Sequence, residues 1–243
     1  MKIIKFVFLL GFFTLPAFSQ VTIDLESGYV KTGYNDIRIP GDTGTLLSLS
    51  EDLKADDGLY FRARLAYSWN QKSTLSLLYA PLQIESAGQV DRDIQYRDVL
   101  FPAGEPIKAT YKFNSYRLSY RYRVYNGNTV KLGIGLTGKI RDADIRLKSD
   151  HLQANKKNVG FVPLVHFKCD VMFSQHLHFI LQGDAAAAPQ GRAEDVLAAF
   201  LFDLTDKIKM RVGYRILEGG ADNDEVYTFA LFHYASFGFI VQM

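Results

Sequence analysis

The clearest order in this chain is an alternation of apolar and polar positions. From Ile208 to Ile216, one face carries Ile208, Met210, Val212, Tyr214 and Ile216, and the other Lys209, Arg211, Gly213 and Arg215. Tyr116 to Val124 sets Tyr116, Leu118, Tyr120, Tyr122 and Val124 against Arg117, Ser119, Arg121 and Arg123. Leu59 to Trp69 sets Leu59, Phe61, Ala63, Leu65, Tyr67 and Trp69 against Tyr60, Arg62, Arg64, Ala66 and Ser68. A period of two belongs to a strand, because a helix would scatter these sets around its circumference. The same period predicts strands near 21–34, 58–69, 74–85, 108–125, 129–147, 159–173, 176–184, 195–204, 207–217 and 226–243. That is about ten strands, with eight or twelve as the neighbouring even counts.

The connections also alternate. Short turns at Asn70 to Ser73, Asn126-Gly127-Asn128, Ser174-Gln175 and Thr205-Asp206 separate longer polar stretches at 35–57, 86–107, 148–158, 185–194 and 218–225. Asn126-Gly127 is the sharpest hairpin signal. Within the first long stretch, Ile37 to Leu49 is expected to form a small hairpin standing above the membrane. No internal repeat or second domain is visible. An even strand number with short turns on one side and long loops on the other describes an all-β fold, a transmembrane antiparallel up-and-down β-barrel.

Alternation alone does not say which face is inside, since a soluble barrel turns its apolar face inward. Here the polar face collects Arg62, Arg64, Arg117, Arg121, Arg123, Lys131, Lys139, Lys168, Lys209, Arg211 and Arg215, opposed by Asp24, Glu26, Asp170 and Asp184. The bias toward Arg suits planar, multiply bonded pairing in a confined lumen. Tyr and Phe gather near the ends of the apolar face, as membrane-interface girdles do. The apolar face is therefore expected to meet lipid. Cys169, which shares that face with Phe167 and Val171, reads as a small lipid-facing hydrophobe.

The N-terminus changes the setting. Lys2 and Lys5 precede the apolar stretch Phe6 to Phe13, and Leu15-Pro16-Ala17-Phe18-Ser19 places small residues before a cut after Ser19. This is the layout of a signal peptide over 1–19, leaving 20–243 as the barrel domain. The chain has 243 residues, 28 basic and 26 acidic; without Lys2 and Lys5 the two signs balance. Balanced charge excludes the footprint of a nucleic-acid binder. A single Cys excludes a disulfide scaffold and a Cys-ligated zinc site. The mean hydropathy of −0.04 is the average of a greasy face and a basic one.

The chain ends Ser236-Phe237-Gly238-Phe239-Ile240-Val241-Gln242-Met243. This stretch resembles the terminal assembly signal of Gram-negative outer-membrane proteins, with Ser236, Gly238, Val241 and Met243 at its polar, glycine and hydrophobic positions. Val241 and Met243 stand where that signal often has aromatic residues. The resemblance implies a small outer-membrane barrel, located in the cell outer membrane after signal-peptide-directed export. It also implies the barrel-assembly machinery as a partner of the C-terminal strand, outer-membrane lipid and lipopolysaccharide as surroundings, and a monomer.

Function is expected from the lumen and the loops. Asp24, Glu26, Arg62, Arg64, Arg117, Arg121, Arg123, Lys209, Arg211 and Arg215 are expected to form an internal charge network. The leading reading is a structural barrel, or one that binds a ligand or partner through its lumen and extracellular loops. The excess of cations makes a narrow channel for small anions the alternative. A lipid-modifying enzyme or protease comes third. Outer-membrane lipid A deacylases use a His and Ser two residues apart on one strand face. His233 and Ser236 are three apart, so a regular strand points them to opposite faces. Omptin-type proteases share the ten-strand count, but Asp222, Asp224 and His233 match none of their motifs residue by residue. His233 itself is expected near the outer headgroup layer. His176 and His178 share a face without a third ligand and read as solvated rim residues. Asp222, Asp224 and Glu225 form a possible loop cation site without the spacing of a defined calcium loop. No catalytic residue, cofactor or metal is assigned.

Overall fold

The computed structural model describes residues 20–243, and the expected signal peptide lies outside the described residues. The strands are β1 (Gln20–Arg38), β2 (Leu47–Ser48), β3 (Lys54–Ala55), β4 (Gly58–Trp69), β5 (Ser73–Ala80), β6 (Gln83–Gln89), β7 (Ile94–Tyr96), β8 (Val99–Phe101), β9 (Pro106–Asn126), β10 (Val130–Lys148), β11 (Gln153–Met172), β12 (Leu177–Ala188), β13 (Gly191–Asp203), β14 (Ile208–Asp222) and β15 (Tyr227–Gln242). Ten staves make the wall: β1, β4, β5 continued by β6, and β9 to β15, each antiparallel to its neighbours. β15 pairs back onto β1 from Thr22↔Gln242 to Arg38↔Tyr227, which closes the cylinder. The third stave breaks at Pro81, which has no N–H for a ladder. Asn114 Oδ1 covers the gap by accepting the Leu82 N–H at 3.3 Å.

The four predicted short turns and the Val21–Met243 backbone pairing share one end of the barrel, the turn end. At the opposite, loop end, three stretches expected as loops are mostly strand. β10 and β11 pair up to Lys148↔Gln153, β12 and β13 up to Ala188↔Gly191, and β14 and β15 up to Asp222↔Tyr227. The ladder continues beyond the point where apolar alternation stops, so the sequence pattern ends before the hydrogen bonding does. β11 pairs with β12 only from Val165 to Met172, which leaves residues 153–164 bonded on one side alone. Pro163 sits in that one-sided stretch, where a missing donor is tolerated.

Alternation resolves as expected. Leu59, Phe61, Leu65, Leu75, Leu77, Leu118, Ile134, Leu136, Phe161, Val212 and Phe237 are exposed on the outside. From Leu59 to Trp69 this belt is about 24 Å tall for strands tilted near 45°. Tyr29, Tyr79, Tyr116 and Tyr214 edge it toward the loop end; Tyr120, Tyr122, Phe200, Phe202 and Phe239 edge it toward the turn end. A continuous apolar belt between aromatic girdles is the exterior of a membrane-spanning barrel.

The interior is layered. At the loop end Ile37, Ile39, Leu47, Leu49 and Leu53 meet Ile94, Tyr96 and Phe101 from the second long connection, and Ile107, Leu147, Phe232 and Tyr234 from the wall. The expected Ile37–Leu49 hairpin forms, with Ile37↔Leu47 in register. Its apolar side chains pack into the barrel mouth, with Ile37, Leu47 and Leu49 fully buried. The hydrophobic effect draws these side chains inward, because a raised hairpin would leave them in water. The result is an apolar cap. Tyr96 donates from its hydroxyl to the Ile145 carbonyl at 2.9 Å, and burial holds that phenol above its ordinary range. Arg92 clasps Asp52 across the cap's outer surface.

Candidate functional site

Beneath the cap lies a layer of ion pairs. Arg62 donates to Asp195 at 2.8 Å, and Arg117 to Asp195 at 2.6 Å and to Asp184 at 2.7 Å. Arg215 donates to Glu26 through Nε and Nη2, each at 2.8 Å, and also to Asp195. Arg211 spans Asp24 at 2.9 Å and Glu26 at 3.0 Å. Four guanidinium groups thus meet four carboxylates, a neutral set almost wholly buried. Arg211 is 0% exposed. Tyr60 adds a hydroxyl to Glu26 at 2.9 Å.

Local backbone makes room for the long side chains. Gly238 faces the lumen, and a Cβ there would fall 2.4 Å from the Leu25 carbonyl oxygen and 2.9 Å from Arg211 Nη2. A Cβ at Gly133 would fall 2.8 Å from Arg121 Cδ. Glycine is needed at Gly133 because the Arg121 stem runs over the backbone, and at Gly238 because the Leu25 carbonyl and the Arg211 guanidinium leave no room for a side chain.

The structure therefore brings together six of the sequence-predicted network residues: Asp24, Glu26, Arg62, Arg117, Arg211 and Arg215. Arg64, Arg121, Arg123 and Lys209 face the lumen nearer the turn end and lie outside that layer. Lys209 pairs with Asp203 at 2.9 Å, and Arg121 reaches the Thr74 hydroxyl at 3.2 Å. Sequence reasoning missed Asp195, the most heavily shared carboxylate. The sign that marks it is its parity with Leu197, Ala199 and Leu201, which are buried on the same face of β13.

Asp184 Oδ1 also meets His166 Nδ1 at 2.8 Å and accepts the Thr137 hydroxyl at 2.6 Å, with Ser119 a further 2.6 Å from Thr137. This chain is the wrong way round for nucleophilic catalysis. The carboxylate, not the imidazole, accepts the Thr137 hydroxyl, so the order of groups is not that of a Ser-His-Asp triad. Nearer the turn end His178 lies 3.1 Å from Asp170 and 3.5 Å from Asp203. It is buried rather than solvated, while His176 is exposed as expected.

Outside the barrel, His233 is half-exposed and bonds Tyr214, while Ser236 is buried on the lumen face, so the two do face apart. Asp222 ends β14, and Asp224 and Glu225 lie in the following turn. Asn223 Oδ1 accepts the Glu225 N–H at 3.0 Å, and Glu225 pairs with Lys156 at 3.3 Å. Among the described residues no group of His, Cys, Asp and Glu is arranged to hold a metal ion. Cys169 is a free thiol, half-buried on the outer face.

No protein-family model matches this chain, and no curated protein matches it. Solved structures do. The outer membrane protease OmpT from Escherichia coli superposes with a TM-score of 0.57 at 8% identity, over 92% of this chain and 97% of that one. The attachment invasion locus protein Ail of Yersinia pestis matches with a TM-score of 0.39 at 11% identity, over 93% of this chain and 99% of that one. The transport unit of the autotransporter AIDA-I from Escherichia coli gives 0.42 at 8%, over 97% and 92%. The fold is that of the Gram-negative outer-membrane β-barrels.

Proposed function

We propose that this chain is an outer-membrane barrel without an open pore, a structural and binding protein that acts through its two ends. The observation that carries this reading is the double closure of the lumen by the apolar cap and the neutral ion-pair layer. An ion crossing the barrel would have to part Arg211 and Arg215 from Glu26 and then enter a packed apolar core. Each step strips charges of their partners in a space poor in water, which is expensive. At the loop end, the one-sided edge of β11 and the raised hairpins offer backbone and side chains to a partner. Lys31 and Lys157 lie outside, above the apolar belt, which supports contact with lipopolysaccharide phosphates. The C-terminal strand β15 supports engagement of the barrel-assembly machinery, and the barrel is proposed to act as a monomer.

Conductance in planar bilayers tests the closed lumen. Refolded protein whose heat-modifiable migration proves the barrel intact is expected to give no discrete openings in potassium chloride or potassium phosphate. Reproducible single-channel steps from that preparation would overturn the reading and favour a small-anion channel.

A further inference from the structure

Between the ion-pair layer and the turn end, the lumen holds more cations than carboxylates: Arg64, Arg121, Arg123, Lys131, Lys168 and Lys209 face Asp170 and Asp203. Arg64 on β4, Arg121 on β9 and Lys168 on β11 face inward and are only half-buried. Of the nearby carboxylates, Asp24 bonds Arg211 through Oδ2 at 2.9 Å and leaves Oδ1 without a hydrogen bond, Asp203 pairs with Lys209 at 2.9 Å, and Asp170 lies 3.1 Å from His178. Among the described residues Arg64 and Lys168 have no ion-pair partner, and Arg121 has only the Thr74 hydroxyl. Register brings them to one level: Gly133 of β10 stands opposite Lys168 on one side and Arg123 on the other, and Gly135 stands opposite Arg121.

Like charges crowded inside low-dielectric walls call for a counter-charge. The layer above has none to spare, since its guanidinium groups and carboxylates balance. Gly133 and Gly135 face the lumen beside Arg121, whose stem lies over Gly133. Arg123 and Lys131, both half-buried, carry the positive lining toward the turn end.

We propose that this cation-rich stretch of the lumen is a blind binding site for a small polyvalent oxyanion, phosphate or a phosphate monoester, admitted from the turn end. Two guanidinium groups and an ammonium can each donate to a different oxygen of a tetrahedral anion, a geometry chloride cannot use. The groups point into the lumen and away from lipid, so the ligand is a solute rather than a headgroup. The proposal rests on the closed-barrel reading, because a shut layer above retains the anion instead of passing it.

Equilibrium dialysis of the refolded barrel against radiolabelled orthophosphate at low ionic strength tests it. Saturable binding is expected, displaced by pyrophosphate and weakened by added salt. The Arg64→Gln/Arg121→Gln variant should lose about tenfold or more in affinity while keeping heat-modifiable migration. Lys31→Gln, outside the barrel, should bind as the parent does. If the double variant does not fold, Lys168→Gln is expected to show the same loss. A folded parent with no saturable binding, or undiminished affinity in the folded variants, overturns the site. Channel openings would overturn the closed lumen and leave this measurement standing, so the two failures are distinguishable.

Discussion

Replacing Asp195 with Asn removes one negative charge from the middle of the barrel and leaves every wall contact in place. Asp195 is buried and shared by Arg62, Arg117 and Arg215. At 2.8 Å, each full ion pair is worth about 6 kcal/mol of attraction at an effective dielectric near 20, before desolvation. Against this stands the relief of not burying the carboxylate, itself several kcal/mol. Removing one partner of a buried pair costs about 3–5 kcal/mol net, because the opposite charge stays buried. Here three guanidinium groups lose a shared acceptor, so a loss of about 4 kcal/mol is expected. Urea unfolding in lipid vesicles, read by heat-modifiable migration, measures it. The decisive arm is charge balance. Arg62→Gln added to Asp195→Asn restores neutrality, so the double variant should be more stable than Asp195→Asn alone. A single variant within about 1 kcal/mol of the parent, or additive losses in the double, would refute the account of a neutral buried layer.

Three further outcomes are expected. Val212→Arg, midway along the outward face of β14, should destabilise by about 2–4 kcal/mol in vesicles, and Met210→Arg, one step nearer the turn-end rim, by less; equal penalties would contradict the placement of the belt. Asp52 is held below the usual carboxylate range, first by its hydrogen bond from Arg92. The clasp therefore contributes above the ordinary Asp range and is lost as pH falls through the lowered value. Both groups are partly exposed, so the loss is below about 1 kcal/mol and should appear as faster amide exchange at Ser48, which donates to Asp52 at 2.9 Å. Gly238→Val should abolish the heat-modifiable form, since its side chain meets the Leu25 carbonyl and Arg211; normal folding would show that the β1–β15 seam can spread.

The staves and their inside faces were legible because the belt imposes a period of two on every strand that crosses it. Arg211 and Arg215 could be assigned to the lumen from Met210, Val212 and Tyr214 alone. Partners were not legible. Asp24 stands in register with Arg64 yet pairs with Arg211, which lies two strands away through β15. Side chains of this length choose acceptors across space, not along a ladder. Asp195 escaped notice because Glu194 beside it obscures the parity at the start of β13. The cap was invisible for another reason. Ile37, Leu47, Ile94 and Phe101 follow no shared period, and their common burial arises only when two long connections close over one barrel end. Their sole trace was an excess of Leu and Ile in stretches that otherwise read as polar loop.

The direction of the ion pairs explains why arginine, and not a larger apolar residue, fills the middle of this barrel. Arg62 on β4 reaches Asp195 on β13, Arg117 on β9 reaches Asp184 on β12, and Arg215 on β14 reaches Glu26 on β1 and Asp195 on β13. The first two join staves that are not neighbours in the wall. A ten-stave cylinder is wider than the eight-stave kind whose side chains simply meet. A leucine from β4 would stop short of β13 and leave a void, with its lost contacts. Arginine has the reach, and its planar fork lets Arg117 hold Asp184 and Asp195 with separate nitrogens. Lysine has comparable length but no planar fork, so it cannot hold two carboxylates with separate nitrogens. Lys139 shows the difference: it is buried at this level, set over the Phe113 ring at 4.6 Å, and joins no carboxylate among the described residues. The ion-pair layer thus acts as cross-bracing, and the balance of its four guanidinium groups by four carboxylates is what makes their burial tolerable. Where neutrality ends, toward the turn end, the side chains cease to be fully buried, and the barrel has positive charge to offer a ligand.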